Sequence, residues 1–297
     1  MADGVEHLIE EHRAAGSHFE AGGTRSFVRE QGSGPPVVLV HGVPSSCFLY
    51  RKMLEPLATA GFRPITFDFP GLGLADRPEE FDYSWSGLAA WMTEAIDALG
   101  IERFHLVVHD IGGPIGCEVA VRQPQRLLSL TALNTWLDLA TFRRPWTMQP
   151  FAIPHLGELY LRFQSRRLTR QAMYLQGIKD RSSMSTAEID AYLALLKRED
   201  GGRAFLRIMR GFELTEEKQD FLWKGLASRP YPAQVVWGDA DPALTTKHRL
   251  IVQQVLRVEQ PTLVPAKHFL QEDQAPAVSA AISSFVRSAS GDYPPGD

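Results

Sequence analysis

The stretch LVVHDIGG, residues 106–113, is an apolar run that ends in a charge and two glycines. A strand buried on both faces reads as such a run, so Asp110 falls where the strand stops and the chain turns. The helix-like GPIGCEVAVRQ follows, giving a local pattern of strand, tight turn and helix. A nucleophile elbow has the form small–x–nucleophile–x–Gly, and Val108–His109–Asp110–Ile111–Gly112 places aspartate at its reactive position. A carboxylate can attack carbon to form an ester, and a helix N-terminus beside it favours negative charge. Taken alone, the stretch fits equally well an aspartate that caps the helix.

Two other stretches favour the nucleophile. VVWGDADPAL leaves an apolar run with Asp239 and Asp241, and VPAKHFLQED leaves the last such run with His268. His268 is the expected general base, taking a proton from the water that cleaves the ester. Asp241, between Gly238 and Pro242, is the expected acid that holds the imidazole tautomer, with Asp239 as the alternative. VLVHGVPSS, residues 38–46, supplies a loop after a strand whose amides could stabilise developing negative charge, and Val43 and Ile111 are the expected pair. Substrate contacts are expected from His41, Pro44, His109, Trp136 and Phe269, which flank these motifs, and from Tyr160, Tyr174 and Tyr192.

The elements that must position these groups alternate along the chain. PPVVLVHG, FRPITFDFPG, FHLVVHD and LLSLTALNTW read as buried strands. FLYRKMLEPLATAG and WSGLAAWMTEAIDALG read as amphipathic helices stopped by glycine. Such alternation predicts a mostly parallel sheet with helices on both faces. Residues 138–228 break the rhythm with helical spacing and no convincing strand, and MSTAEIDAYLALLKRE opens with Ser185 or Thr186 as N-cap. The expected organisation is a core of residues 1–137 and 229–297 with an inserted helical cap, residues 138–228, over the strand ends.

Bulk composition narrows the classes further. The 297 residues are 44% hydrophobic and 22% charged with a net charge of −4, an ordinary globular balance. That charge offers no general attraction for nucleic acid or an anionic membrane, and RRLTR at 166–170 reads as a solvated helix face. The two cysteines, Cys47 and Cys117, are isolated, and no Cys/His spacing suggests a metal site. The N-terminus lacks the basic and apolar regions of a signal peptide. The expectation is a cytoplasmic protein acting on a small-molecule substrate without cofactor or metal, as monomer or homodimer.

Together HGVP with FLYR, DFPGLGLADRP, VVHDIGGPIG, WGDADP and KHFLQEDQAP resemble the aspartate-nucleophile branch of the α/β-hydrolase superfamily, the haloalkane dehalogenases and their epoxide-hydrolase relatives. KHFLQED and LNTW are especially similar to dehalogenases. The resemblance covers residues 25–137 and 229–287 and implies an α/β-hydrolase fold with a helical cap. Its chain order of nucleophile, acid and histidine implies Asp110, Asp241 and His268 in those roles, with Val43 and Ile111 as oxyanion amides. Some dehalogenases carry the acid after the preceding strand instead. There Asn134 cannot ionise, but Asp138 is near.

The departures bear on the reaction. Dehalogenases typically place Asn after His–Gly and Trp after the nucleophilic Asp, and those two side chains hold the leaving halide. Here the positions are Val43 and Ile111; Trp136 or Trp146 could substitute, but neither sits at a matching motif position. Losing one such donor costs on the order of 10²–10³ in rate. Ile111 also lacks the arginine character that fluoroacetate dehalogenases have there. Epoxide hydrolases instead need a cap acid, usually two tyrosines. Tyr174 suits the first place and Met209 occupies the second. Epoxide opening is therefore the preferred expectation, and carbon–halogen hydrolysis the alternative. Ester or lactone hydrolysis, or ligand binding without catalysis, follow.

Overall fold

Alternate residues of the apolar runs face opposite ways, and that alternation builds the layers. The computed structural model describes residues 2–289; the terminal SGDYPPGD, expected to fray, lies outside them. The strands are β1 (Ser17–Ala21), β2 (Thr24–Glu30), β3 (Pro36–Val40), β4 (Arg63–Phe67), β5 (Phe104–Asp110), β6 (Leu127–Thr135), β7 (Ala233–Gly238) and β8 (Thr262–Val264). They form one eight-stranded sheet in the order β1-β2-β4-β3-β5-β6-β7-β8. Only the pairings of β2 with β1 and β4 are antiparallel. From β4 through β8 every neighbouring pair is parallel.

In β3 and β5, Val38, Val40, Leu106 and Val108 pack on one face with Leu88, Met92 and Ile115. Val37, Leu39 and Val107 pack on the other with Leu57, Val278 and Ile282. All seven residues of β5 are buried, which is why the run lacks polar alternation. Helices Trp85–Ala98 and Gly112–Arg122 cover the first face, and Leu54–Thr59 and Ala275–Ala289 the second. The helix expected from FLYRKMLEPLATAG divides into a 3₁₀ turn, Cys47–Tyr50, and the short helix Leu54–Thr59. Pro56 has no N–H to give to a preceding turn, so it sits in the first turn of a new helix instead.

Between β6 and β7 the described residues contain helices and no strand, among them Leu156–Phe163, Arg166–Ala172, Thr186–Lys197 and Arg203–Arg210. Ser185 caps the third of these in a reciprocal box with Glu188, so the cap residue is Ser185 and not Thr186. The last helix of the block, Glu216–Ala227, packs on Gly112–Arg122, where Lys218 pairs with Glu118. Arginines fasten the block to the sheet. Arg77 donates to the Leu195 carbonyl at 2.8 Å, and Arg198 to those of Gly73 and Ala75 at 2.9 and 2.7 Å.

A buried ionic knot makes a second fastening. The Glu272 carboxylate, fully buried after the last strand, accepts hydrogen bonds from Arg51 and, at 2.7 Å, from the Tyr192 hydroxyl. Arg51 also reaches Glu188, so one guanidinium joins sheet, cap and last loop. Removing one member of a buried pair strands the other charge. Glu272→Ala should therefore cost about 3–5 kcal/mol of stability, read as a lower midpoint in urea unfolding. An unchanged midpoint would show that the knot does not hold the cap.

Candidate active site

The turn at Asp110 begins with the backbone. Asp110 has φ of +54°, a left-handed conformation that a non-glycine residue adopts only when its surroundings hold it there. The holding contacts come from both neighbouring strands. Thr135, its register partner on β6, donates its hydroxyl to the Asp110 carbonyl at 2.7 Å. On the β3 side, a Cβ on Gly42 would lie 2.2 Å from Asp110 Oδ1, so only glycine admits the carboxylate there. Asp110 does not cap the helix Gly112–Arg122, whose cap residue is Ile111. Its side chain turns instead toward the loop after β3, where the Val43 amide donates to Oδ1 at 2.8 Å.

Oδ2 faces the end of β8. His268 Nε2 lies 3.5 Å from Asp110 Oδ2, and His268 Nδ1 lies 2.9 Å from Asp241 Oδ2. Asp241, its side chain fully buried, also accepts the amides of Ala243 and Leu244 at 2.8 and 2.9 Å. With Nδ1 donating to Asp241, Nε2 points at Asp110 and is the nitrogen available for proton transfer. The two alternative acids are elsewhere. Asp239 is exposed and pairs with Lys179, and Asp138 meets His248 at 3.1 Å.

Burial alone would lower the proton affinity of His268. The carboxylates of Asp241 and Asp110 override it and raise the pKa to about 10. Burial likewise opposes ionisation of Asp241, but the His268 charge and its hydrogen bonds hold the carboxyl below its usual range. The two carboxylates thus favour the protonated form of the ring that lies between them.

One residue that sequence reasoning set aside proves central to this arrangement. Asn134, dismissed because an amide cannot ionise, donates Nδ2 to Asp241 Oδ2 at 2.6 Å. Its Oδ1 accepts the Gly238 amide at 2.8 Å, so one side chain ties the end of β6 to the end of β7. The signal was its place in LNTW, opposite the WGDAD turn.

These groups lie at the floor of a cavity of about 420 Å³ whose wall is mainly apolar. Asp110, His268, Val43, Pro44 and Ile111 line its base, and Trp136, Phe269, Tyr160 and Tyr192 line its sides. Three expected contacts fall outside it. His41 is fully buried and shapes the amide loop, with Nδ1 on the Gly42 carbonyl at 2.9 Å and Nε2 accepting the Phe69 amide at 3.2 Å. His109 is fully buried behind the base, where its Nε2 meets the His268 carbonyl at 2.9 Å. Burial and the neighbouring His268 charge lower His109 to about 3, so it stays neutral and Nε2–H is the donor. Tyr174 sits in the π-helical turn Met173–Gly177 beneath the Arg181 guanidinium and does not line the cavity.

Other wall groups differ from expectation in what they offer. The Ile111 amide makes no hydrogen bond to Asp110 among the described residues, so Val43 is the backbone donor to the carboxylate and His268 faces its other oxygen. The Tyr192 hydroxyl is committed to Glu272, and Met209 lines the wall where a second phenol would stand. Tyr160 packs edge-on against Phe151, and its hydroxyl has no hydrogen-bond partner among the described residues. Trp136 stacks on Phe142 at 4.1 Å, and its indole Nε1 is buried without a partner. Trp85 also has an unpartnered Nε1 but does not line the cavity. No group of three or more His, Cys, Asp or Glu among the described residues could hold a metal.

A mostly parallel sheet with Asp110, Asp241 and His268 brought together after β5, β7 and β8 is the arrangement of a hydrolase of the α/β type. Residues 35–275 match the alpha/beta hydrolase fold family, and the chain belongs to it. Within it the chain falls in the branch of haloalkane dehalogenases and epoxide hydrolases. A haloalkane dehalogenase of Psychrobacter cryohalolentis is 31% identical over 267 residues, 84% of this chain and 83% of that protein. The structure of a haloalkane dehalogenase from Bradyrhizobium elkani superposes with a TM-score of 0.79 at 21% identity, covering 93% of this chain and 98% of that one. An epoxide hydrolase from Vigna radiata superposes with a TM-score of 0.76 at 20% identity, over 92% and 97% of the two chains.

The raised His268 pKa has a consequence for stability. The folded chain holds this proton more tightly than the unfolded chain, whose imidazole titrates near 6.5. The pair therefore stabilises the fold in full below pH 6.5, and its contribution fades as pH rises toward 10. The difference in melting temperature between the native protein and His268→Gln should shrink across that interval. A difference that stays flat there would contradict the raised pKa.

Proposed function

We propose that this hydrolase acts on a small apolar substrate through an ester on Asp110, and that the bond it cleaves is carbon–halogen. Asp110 Oδ2 attacks the carbon and the halide leaves with the bonding electrons. The new ester removes the Asp110 charge from beside His268. One of the two carboxylates that raised the imidazole pKa is then gone, so the ring gives up its Nε2 proton to solvent more readily and the neutral imidazole becomes available as the base. Nε2 takes a proton from water, which attacks Cγ of Asp110. The oxyanion forms on Oδ1, where the Val43 amide at 2.8 Å is already within oxyanion-hole distance. Collapse expels the alkoxide, which takes the proton from His268. The carboxylic acid left on Asp110 then loses its own proton.

The observation that carries the choice of leaving group is Trp136. Its indole lines the cavity one residue beyond Thr135, the strand partner of Asp110, with a buried N–H that nothing in the described chain accepts. An unsatisfied buried donor costs about 1–3 kcal/mol, a cost that an electronegative leaving group would relieve. This donor stands in for those that Val43 and Ile111 lack. The dehalogenase named above supports the same reading by its identity to this chain. Epoxide opening, the preference from sequence, loses Tyr174 and finds Tyr192 engaged, and keeps support only from the free hydroxyl of Tyr160.

The two readings separate by product and by variant. Primary bromoalkanes should release bromide. Trp136→Phe should lower that rate on the order of 10²–10³, with Tyr160→Phe close to the native protein. Diol formation from epoxides that Tyr160→Phe abolishes, without bromide release from any bromoalkane, would overturn the assignment.

A further inference from the structure

Of the nine large hydrophobic side chains exposed among the described residues, seven fall between residues 146 and 175. Exposed apolar residues scattered singly are ordinary, but a contiguous group marks a contact surface. Leu156, Leu159 and Phe163 stand on one stripe of the helix Leu156–Phe163 while Gly157 and Leu161 turn inward and are buried. Trp146 is 74% exposed and Phe163 67%, the two most exposed of the group. Three of the seven, Trp146, Leu168 and Leu175, also line the cavity. The apolar wall of the site thus continues outward over the rim and onto the surface.

The same segment has an unusual charge. Residues 143–179 carry six arginines and Lys179 against Glu158 alone within a chain of −4, although Arg166 and Arg170 meet Asp190 and Lys179 meets Asp239. Arg143, Arg162 and Arg167 are exposed and make no ion pair among the described residues. Averaged over the chain this excess disappears, which is why composition suggested no membrane partner. Trp, Phe and Leu interleaved with arginine around an apolar opening form the composition of a segment that lies in a lipid–water interface. None of the helices described is long and apolar enough to cross a membrane, so any such contact is peripheral.

We propose that this face of the cap docks on the surface of an anionic phospholipid bilayer, with the cavity mouth toward the lipid. The arginines meet the headgroups, and Trp146, Leu159 and Phe163 enter the acyl boundary. Apolar substrates concentrate in that layer, so a mouth seated there takes them without a crossing through water. A second copy of the chain complements the surface less well. A two-fold contact would set the same arginines against each other. The inference does not depend on which bond the site cleaves, because binding is measured without turnover.

Full-length protein would be sedimented with vesicles of phosphatidylcholine alone and of phosphatidylcholine mixed with phosphatidylglycerol. It should pellet only with the anionic vesicles and be released by high salt. Arg162→Ala with Arg167→Ala should bind roughly thirty-fold more weakly. Leu159→Ser with Phe163→Ser should also lose binding, with native melting temperatures for both pairs because every replaced side chain is exposed. Absence of binding, or equal binding to both vesicle types, would overturn the proposal. So would a lipid-free dimer in sedimentation velocity that Phe163→Ser dissociates, because a second copy would then cover the face.

Discussion

Burying an imidazole between two carboxylates creates a charge problem that organises the sheet ends around it. His268 at the end of β8 is tolerable inside the protein only because Asp241 and Asp110 compensate it, and each carboxylate needs support of its own. Asp241 receives two amides, the imidazole and the Asn134 amide group. Asp110 receives the Val43 amide and holds a strained backbone in place through Thr135. Four parallel strands, β3, β5, β6 and β7, therefore end in groups that serve the imidazole and its two carboxylates. The shared direction of these strands is what brings the groups together.

The cap contributes a different kind of order. Besides apolar packing that joins it to both core clusters, it makes polar, directional contacts through Arg77, Arg198 and the buried knot around Glu272, and its inner wall is apolar. The knot also takes up the Tyr192 hydroxyl, so a side chain that could donate a proton to substrate serves structure instead. Chemistry in the cavity must then use the few polar groups left unengaged. That scarcity links the architecture to the choice of leaving group.

The sequence was most legible where one physical rule dominated. A run such as LVVHD has to be a buried strand that stops at its charge, and Asp110, Asp241 and His268 were all found at such ends. Legibility failed where direction mattered more than type. Tyr174 has suitable chemistry and helical context, but its side chain lies beneath Arg181 and outside the cavity. Asn134 was judged as an acid when its role is to hold one. His41 and His109 stand in the right motifs yet act behind the surface, one on the loop and one on the base. The helix expected across residues 48–61 was broken by Pro56, a local effect that apolar spacing did not outweigh. No periodicity in the cap announced which of its tyrosines and tryptophans would be unpartnered, since that depends on contacts distant in sequence.

The central claim is that Asp110 becomes covalently attached to substrate and that His268 frees it. His268→Gln keeps a polar side chain but cannot take the proton from water, so the ester should accumulate. Incubated with a primary bromoalkane that the native protein turns over, the variant should gain the mass of one alkyl group. Peptide mapping should place that mass on Asp110, and adding Asp110→Asn should abolish it. Turnover by the native protein with no adduct on the variant, or an adduct on another residue, would contradict the account.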